Sequence, residues 1–162
     1  MDLFHENWFK NIKNKHKYIN YDSVCVINIS TNLDSIVDFG IINKLFNYSK
    51  LIILYQPIKG TRITQSLLYE LSDDNLIIID LSKMYDQLSY LCQGSINIKG
   101  DIKTNDKFKS YLQLSTFKYV KDLLSFKYDD IIDISSLHLT ESLSKTEKKQ
   151  LSKYLGIDKY IE

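Results

Sequence analysis

The stretch LIILYQPIKGTRITQSLLYELSDDNLIIIDL, residues 51–81, decides the architecture. Leu51 to Leu54 is an unbroken apolar run that stops at Gln56-Pro57, and Leu76 to Leu81 reads as a further strand with Ile77-Ile78-Ile79 at its centre. Between them, Ile63 to Leu71 reads as a helix. Continuous apolar strands are those buried on both faces. A strand, a helix of about three turns and another strand predict a right-handed crossover between parallel strands, with helices covering the sheet.

Upstream, Val24 to Ile29 is a short β-branched run bounded by polar residues, and Ile36 to Ile42 is another, following the turn-like Thr31-Asn32-Leu33-Asp34. The pair reads as an antiparallel hairpin, which makes the sheet mixed. Further upstream, Phe4, Trp8, Phe9 and Ile12 fall at helical spacing, with Lys10, Lys13, Lys15, His16 and Lys17 crowding the turns that follow. This is an amphipathic helix with a basic end, suited either to solvation or to phosphate contact. Downstream of Asp80 the pattern predicts helices over Met84–Leu91, Phe108–Leu124, Asp129–Leu143 and Lys145–Leu155. Ser144 and Glu147 form a capping box, Gly156 is a helix stop, and Gly94–Thr104 is a long surface loop. The fold class expected is α/β, a hairpin followed by strand-helix-strand with a helical C-terminal half.

The 162 residues suffice for one domain, 1–162, made of a helical extension (1–20), a core (23–143) and a C-terminal helix (144–162). Hydrophobic residues at 44% and charged residues at 25% exclude disordered and fibrous classes. The longest apolar run, Leu51 to Tyr55, is far below the roughly 20 residues of a membrane span, and the polar start lacks the apolar core of a signal peptide. A soluble cytoplasmic protein with no membrane partner is therefore expected. A net charge of +1 excludes a global electrostatic footprint for nucleic acid, so such a role has to rest on a local patch. Cys25 and Cys92 are too few for a disulfide scaffold and lack metal-ligand spacing. The chain has no alanine and a single arginine, Arg62, while Ile, Lys, Asn and Tyr abound, the mark of an AT-rich coding sequence.

Gly-rich phosphate loops, CxxC and HExxH motifs are absent, and His5, His16 and His138 lie far apart. The densest acidic group is Asp129-Asp130-Ile131-Ile132-Asp133. On a helix, Asp129, Asp130 and Asp133 share one face and could hold a hard cation such as Mg²⁺; the same residues equally suit helix capping. Open α/β sheets build sites at the carboxyl ends of their strands. Those ends carry Asn28 and Ser30, then Gln56 with Lys59 and Arg62 beyond, then Ser82 and Lys83, a polar set with almost no acid.

Across residues 23–143 this order resembles the RNase H-like, RuvC-type Holliday-junction resolvases of poxviruses, other large DNA viruses and yeast mitochondria. The matching segments are Val26-Ile27-Asn28-Ile29-Ser30, Leu54-Tyr55-Gln56-Pro57, Asp80-Leu81-Ser82-Lys83, Leu112-Gln113-Leu114-Ser115 and Asp129-Asp130-Ile131-Ile132-Asp133. The resemblance implies an RNase H-like mixed sheet, with Asn28, Asp130 and Asp133 at vestigial catalytic positions and Asp129, Asp130 and Asp133 at the metal positions. It places Lys59, Arg62 and Lys83 in the stretches that meet nucleic acid. Asn28 and Leu54 stand where the family has acids, and Leu112-Gln113 where it has paired lysines, so two anionic ligands are gone. A non-catalytic resolvase-like protein follows, requiring no cofactor, forming a homodimer, and binding branched DNA or a viral replication protein. The alternatives are an active Mg²⁺-dependent, structure-selective endonuclease and a protein-interaction module with no nucleic-acid role, the latter suggested by near-neutral charge and abundant tyrosine.

Overall fold

The computed structural model describes residues 3–30, 32–59, 63, 65–71, 75–97 and 106–161. In chain order these form α1 (Leu3–Lys15), β1 (Val24–Ile29), α2 (Leu33–Leu45), β2 (Lys50–Tyr55), α3 (Gln65–Leu71), β3 (Leu76–Ile78), α4 (Ser82–Ile96), α5 (Asp106–Ser125), β4 (Ile131–Asp133) and α6 (Lys145–Tyr154). Short 3₁₀ turns cover Ile134–Leu137 and Asp158–Tyr160. The expected loop over Gly94–Thr104 begins later than the sequence suggests, because α4 runs on to Ile96 and Asn97 ends it in a left-handed conformation. The rest of that segment lies largely outside the described residues.

The four strands are ordered β3-β2-β1-β4, and every pair is parallel. The parallel β2-α3-β3 unit matches the sequence expectation. The mixed sheet and its hairpin do not: Ile36–Ile42 is the middle of a thirteen-residue helix. Its seven residues from Ile36 to Ile42 are all buried, so the segment is enclosed around its whole circumference and lacks the 3.6-residue rhythm of a half-exposed helix. Periodicity alone cannot separate such a helix from a buried strand. Asn32 decides it, capping α2 by accepting a hydrogen bond from the Asp34 backbone N–H at 2.8 Å.

The helix expected over Asp129–Leu143 is also replaced. Ile131–Asp133 pairs in parallel with Val24–Val26 as β4, and a 3₁₀ turn follows. A three-residue strand carries no pattern of its own; its partner across the sheet specifies it. A four-stranded, all-parallel 3-2-1-4 sheet is not the mixed RNase H sheet, so the resolvase-like fold class is corrected to a doubly wound α/β architecture.

Alternate side chains of the central strands feed two layers, as the two-residue strand period dictates. Cys25, Ile27, Ile29, Leu51, Ile53 and Tyr55 pack with residues of α1, α2, α3 and α6, among them Phe9, Ile41, Leu67 and Leu151. Val26, Ile52 and Leu54 face Phe117 and Val120 of α5. Burial on both faces explains why these strands are continuous apolar runs.

The capping box at α6 is present as expected. Glu147 N–H donates to Ser144 Oγ at 3.2 Å, and Ser144 N–H donates to Glu147 Oε1 at 3.0 Å. Replacing Ser144 by Ala is expected to lower stability by about 1 kcal/mol; urea unfolding reads this as a lower midpoint at constant slope, and an unchanged midpoint would show the cap to be dispensable. No helix among the described residues is long and apolar enough to cross a membrane.

Candidate functional site

From β1 the chain steps outward to β2 and β3, then returns through α4 and α5 to place β4 on the other side of β1. The direction of winding thus reverses at β1. In doubly wound sheets the connections on either side of such a point diverge and leave a crevice beyond the carboxyl ends of the strands. A cleft of about 320 Å³ lies there, at the lower end of the range for small-molecule sites. One wall is Asn28, Ser30 and the start of α2 (Asn32, Asp34, Ser35, Asp38); the other is Ser135, His138, Thr140, Glu141 and Lys148 of α6.

The turn from β1 into α2 is held by its own polar side chains. Ser30 N–H donates to Ser35 Oγ at 3.1 Å, Asn32 N–H donates to Ser30 Oγ at 3.1 Å, and Ser35 Oγ lies 3.2 Å from the Ser30 carbonyl oxygen. These bonds fix the helix entry without glycine and leave the positive end of the α2 dipole facing the cleft. Lys148 Nζ lies 2.7 Å from Asp34 Oδ1, an ion pair that ties α6 to the first turn of α2. His138 adopts a left-handed backbone, φ 50°, at the opposite rim. Such conformations are uncommon for residues other than glycine and concentrate at functional sites.

Asp38 is one turn further along α2. It is 8% exposed, and its Oδ1 is buried without a hydrogen-bond partner. Burial pushes its carboxyl up to about 7; the nearby Asp34 adds to the rise and Lys148 opposes it. The cleft is acidic, with Asp34, Asp38 and Glu141 against Lys148.

The residues singled out from sequence are scattered. Asn28 accepts a hydrogen bond from Gln56 Nε2 at 3.2 Å, and Gln56 and Gln113 exchange side-chain to backbone bonds at 2.9 and 3.0 Å, which sews β1 and the exit of β2 to α5. Asp129 and Asp130 are exposed ahead of β4, at the amino edge of the sheet. From the register Val24↔Ile131, Asp130 and Asn28 are five strand steps apart along the sheet, about 16 Å. Asp133 is occupied by Lys121 Nζ at 2.8 Å and by the Ser135 N–H that it caps. No three His, Cys, Asp or Glu side chains among the described residues are arranged to hold a metal ion. Lys59 is paired with Asp86 at 2.9 Å, Lys83 is exposed on α4, and Arg62 lies outside the described residues.

Sequence reasoning passed over Ser35, Asp38, Thr140 and Lys148. The available signal was Asn32: a helix-capping residue three positions after an apolar strand marks a strand-to-helix turn at the carboxyl edge of a sheet.

No family model and no curated protein sequence matches the chain. Solved structures do. The chain is similar to NAD⁺ synthetase from Burkholderia pseudomallei, with TM-score 0.52 and 13% identity over 96% of this chain and 75% of that one. It is also similar to the glutamine-dependent NAD⁺ synthetase from Acinetobacter baumannii in complex with adenosine diphosphate, with TM-score 0.60 and 13% identity over 95% of this chain and 33% of that one. The likeness is one of fold: a Rossmann-like α/β domain with an all-parallel sheet. This overturns the resemblance to Holliday-junction resolvases, and with it the degenerate-nuclease function and its alternatives.

Proposed function

We propose that this chain is a nucleotide-binding domain that takes an adenine nucleotide in the cleft between β1 and β4. The observation that carries the reading is the position of that cleft: at the reversal point of a parallel sheet, with the α2 N-terminus and the Lys148 ammonium on its walls. The helix end and the lysine are the two elements that favour a phosphate group. The adenosine diphosphate held by one of the similar synthetases supports the choice of ligand class.

The acid excess bears on how the phosphate enters. Asp34 and Glu141 repel a bare polyphosphate, and Lys148 alone does not offset them. Mg²⁺ binds through one or two carboxylates together with substrate phosphates and keeps several waters, which fits the carboxylates on the walls of the cleft. The nucleotide therefore enters as its Mg²⁺ complex.

Titration calorimetry with ADP and ATP is expected to give a saturable isotherm in Mg²⁺ and a much weaker one in EDTA. Lys148→Ala is expected to weaken binding about 10- to 100-fold, the worth of a hydrogen bond to a charged group. Absence of nucleotide binding at millimolar concentration with Mg²⁺ would overturn the reading.

A further inference from the structure

The mechanism of phosphate capture leaves one cleft residue unexplained. Asp38 is more than nine-tenths buried in the second turn of α2, lines the same cleft, and has an oxygen with no partner. A buried carboxyl without a donor destabilises the fold. Four residues of helix separate it from Asp34, about 6 Å along the axis. Both residues line the one cleft, so a ligand with a phosphate at the α2 N-terminus brings its adjoining part within that same cavity.

We infer that Asp38 is a specificity-determining residue: its carboxylate accepts a hydrogen bond from an O–H or N–H donor of the ligand adjacent to the phosphate. This rests on the nucleotide reading of the same cleft. The groups that face Asp38 agree with an acceptor role. Asp34 on its own helix is already paired with Lys148 of α6, and Glu141 and His138 line the opposite wall, so among the described residues none donates a hydrogen bond to Asp38 Oδ1. A donor brought by the ligand does so. In an adenine nucleotide the donors are the ribose 2′- and 3′-hydroxyls and the 6-amino group of the base.

The test is calorimetry on the full chain in Mg²⁺, with ADP, 2′-deoxy-ADP, 3′-deoxy-ADP, inosine diphosphate and inorganic diphosphate, repeated with Asp38→Leu. The unsubstituted protein is expected to bind ADP about 10- to 100-fold more tightly than the analogue lacking the recognised donor. In Asp38→Leu this preference disappears, and ADP binds no better than the analogue lacking the recognised donor. The analogue that loses affinity identifies which hydroxyl or amine is the donor. ADP binding with no discrimination among the analogues, or discrimination that survives in Asp38→Leu, overturns the role of Asp38 and leaves nucleotide binding standing. Failure to bind ADP or diphosphate overturns both. The melting temperature of Asp38→Leu, measured alongside, reports that the variant is folded.

Discussion

Asp38→Asn is expected to raise the melting temperature at pH 8 by roughly 10 °C, and to raise it progressively less as the pH falls towards 4. The sign follows from linkage. Burial places the folded-state carboxyl at about 7, above its value in an unfolded chain near 4. Between those values the unfolded state releases a proton that the folded state keeps, so the parent loses stability as the pH rises through this window, and the loss is complete above 7. Three pH units correspond to about 4 kcal/mol, an upper figure, and for a domain of this size each kcal/mol moves the midpoint by about 2–4 °C. His16 works in the opposite direction, because burial and Lys15 hold it below its ordinary value and its penalty grows on acidification. Its contribution cancels when parent and variant are compared at the same pH. A difference in melting temperature that is flat from pH 4 to 8 would show that Asp38 is solvated. A stable variant that has lost ligand discrimination would show the ordinary trade of stability for function at a site.

The second large effect concerns the contact that assembles the cleft. A Cβ at Gly40 would lie 2.6 Å from Ile157 Cδ1 and 3.1 Å from Leu155 Cδ1, so the backbone of α2 packs directly on the segment that follows α6. Gly40→Val is expected to cost about 3 kcal/mol, because a branched side chain cannot fit a helix interface already in contact. Gly40→Ala is expected to fall within about 1 kcal/mol of the parent, since the tips of Ile157 and Leu155 can turn aside and Ala gains about 1 kcal/mol of helix propensity over Gly. Denaturant unfolding measures both. The valine variant should also lose nucleotide affinity, because Lys148 reaches the cleft only while α6 is seated on α2. A valine variant as stable as the alanine one would place the helices further apart than described.

What the sequence disclosed and what it hid follow from the range of the interactions involved. The β2-α3-β3 unit was legible because Leu51–Leu54 and Leu76–Ile79 are clean apolar runs, punctuated by Gln56-Pro57 and joined by one short helix. Ser144 and Glu147 were legible because a capping box is a contact between neighbours. Ile36–Ile42 was not, since a helix buried on every side offers no period to read. Nor was β4: the aspartates flanking Ile131-Ile132 look like helix caps until Val24 and Cys25 are seen beside them. The resolvase resemblance drew on an order of apolar segments that several α/β folds share, and Asp129 and Asp130, which it brought together with Asn28, lie at the opposite edge of the sheet from it. The cleft escaped for the same reason. Its two walls, Ser30–Asp38 and Ser135–Lys148, meet only in three dimensions.

The pairing of β1 with β4 also sets the order in which the molecule is put together. Val24 and Ile131 are more than a hundred residues apart, whereas β1, β2 and β3 succeed one another through single helices. Closing so long a loop is entropically the most demanding step of assembly, so β4 and α6 join a sheet already formed by the first three strands. Elements that arrive last are also the first to detach in transient opening, and their amides exchange with solvent through that partial release while those of β1 and β2 wait for global unfolding. One wall of the cleft belongs to the late unit and the other to the early one. A ligand bridging them acts as a clasp, slowing exchange in the C-terminal third of the chain far more than in the strands it touches from the other side.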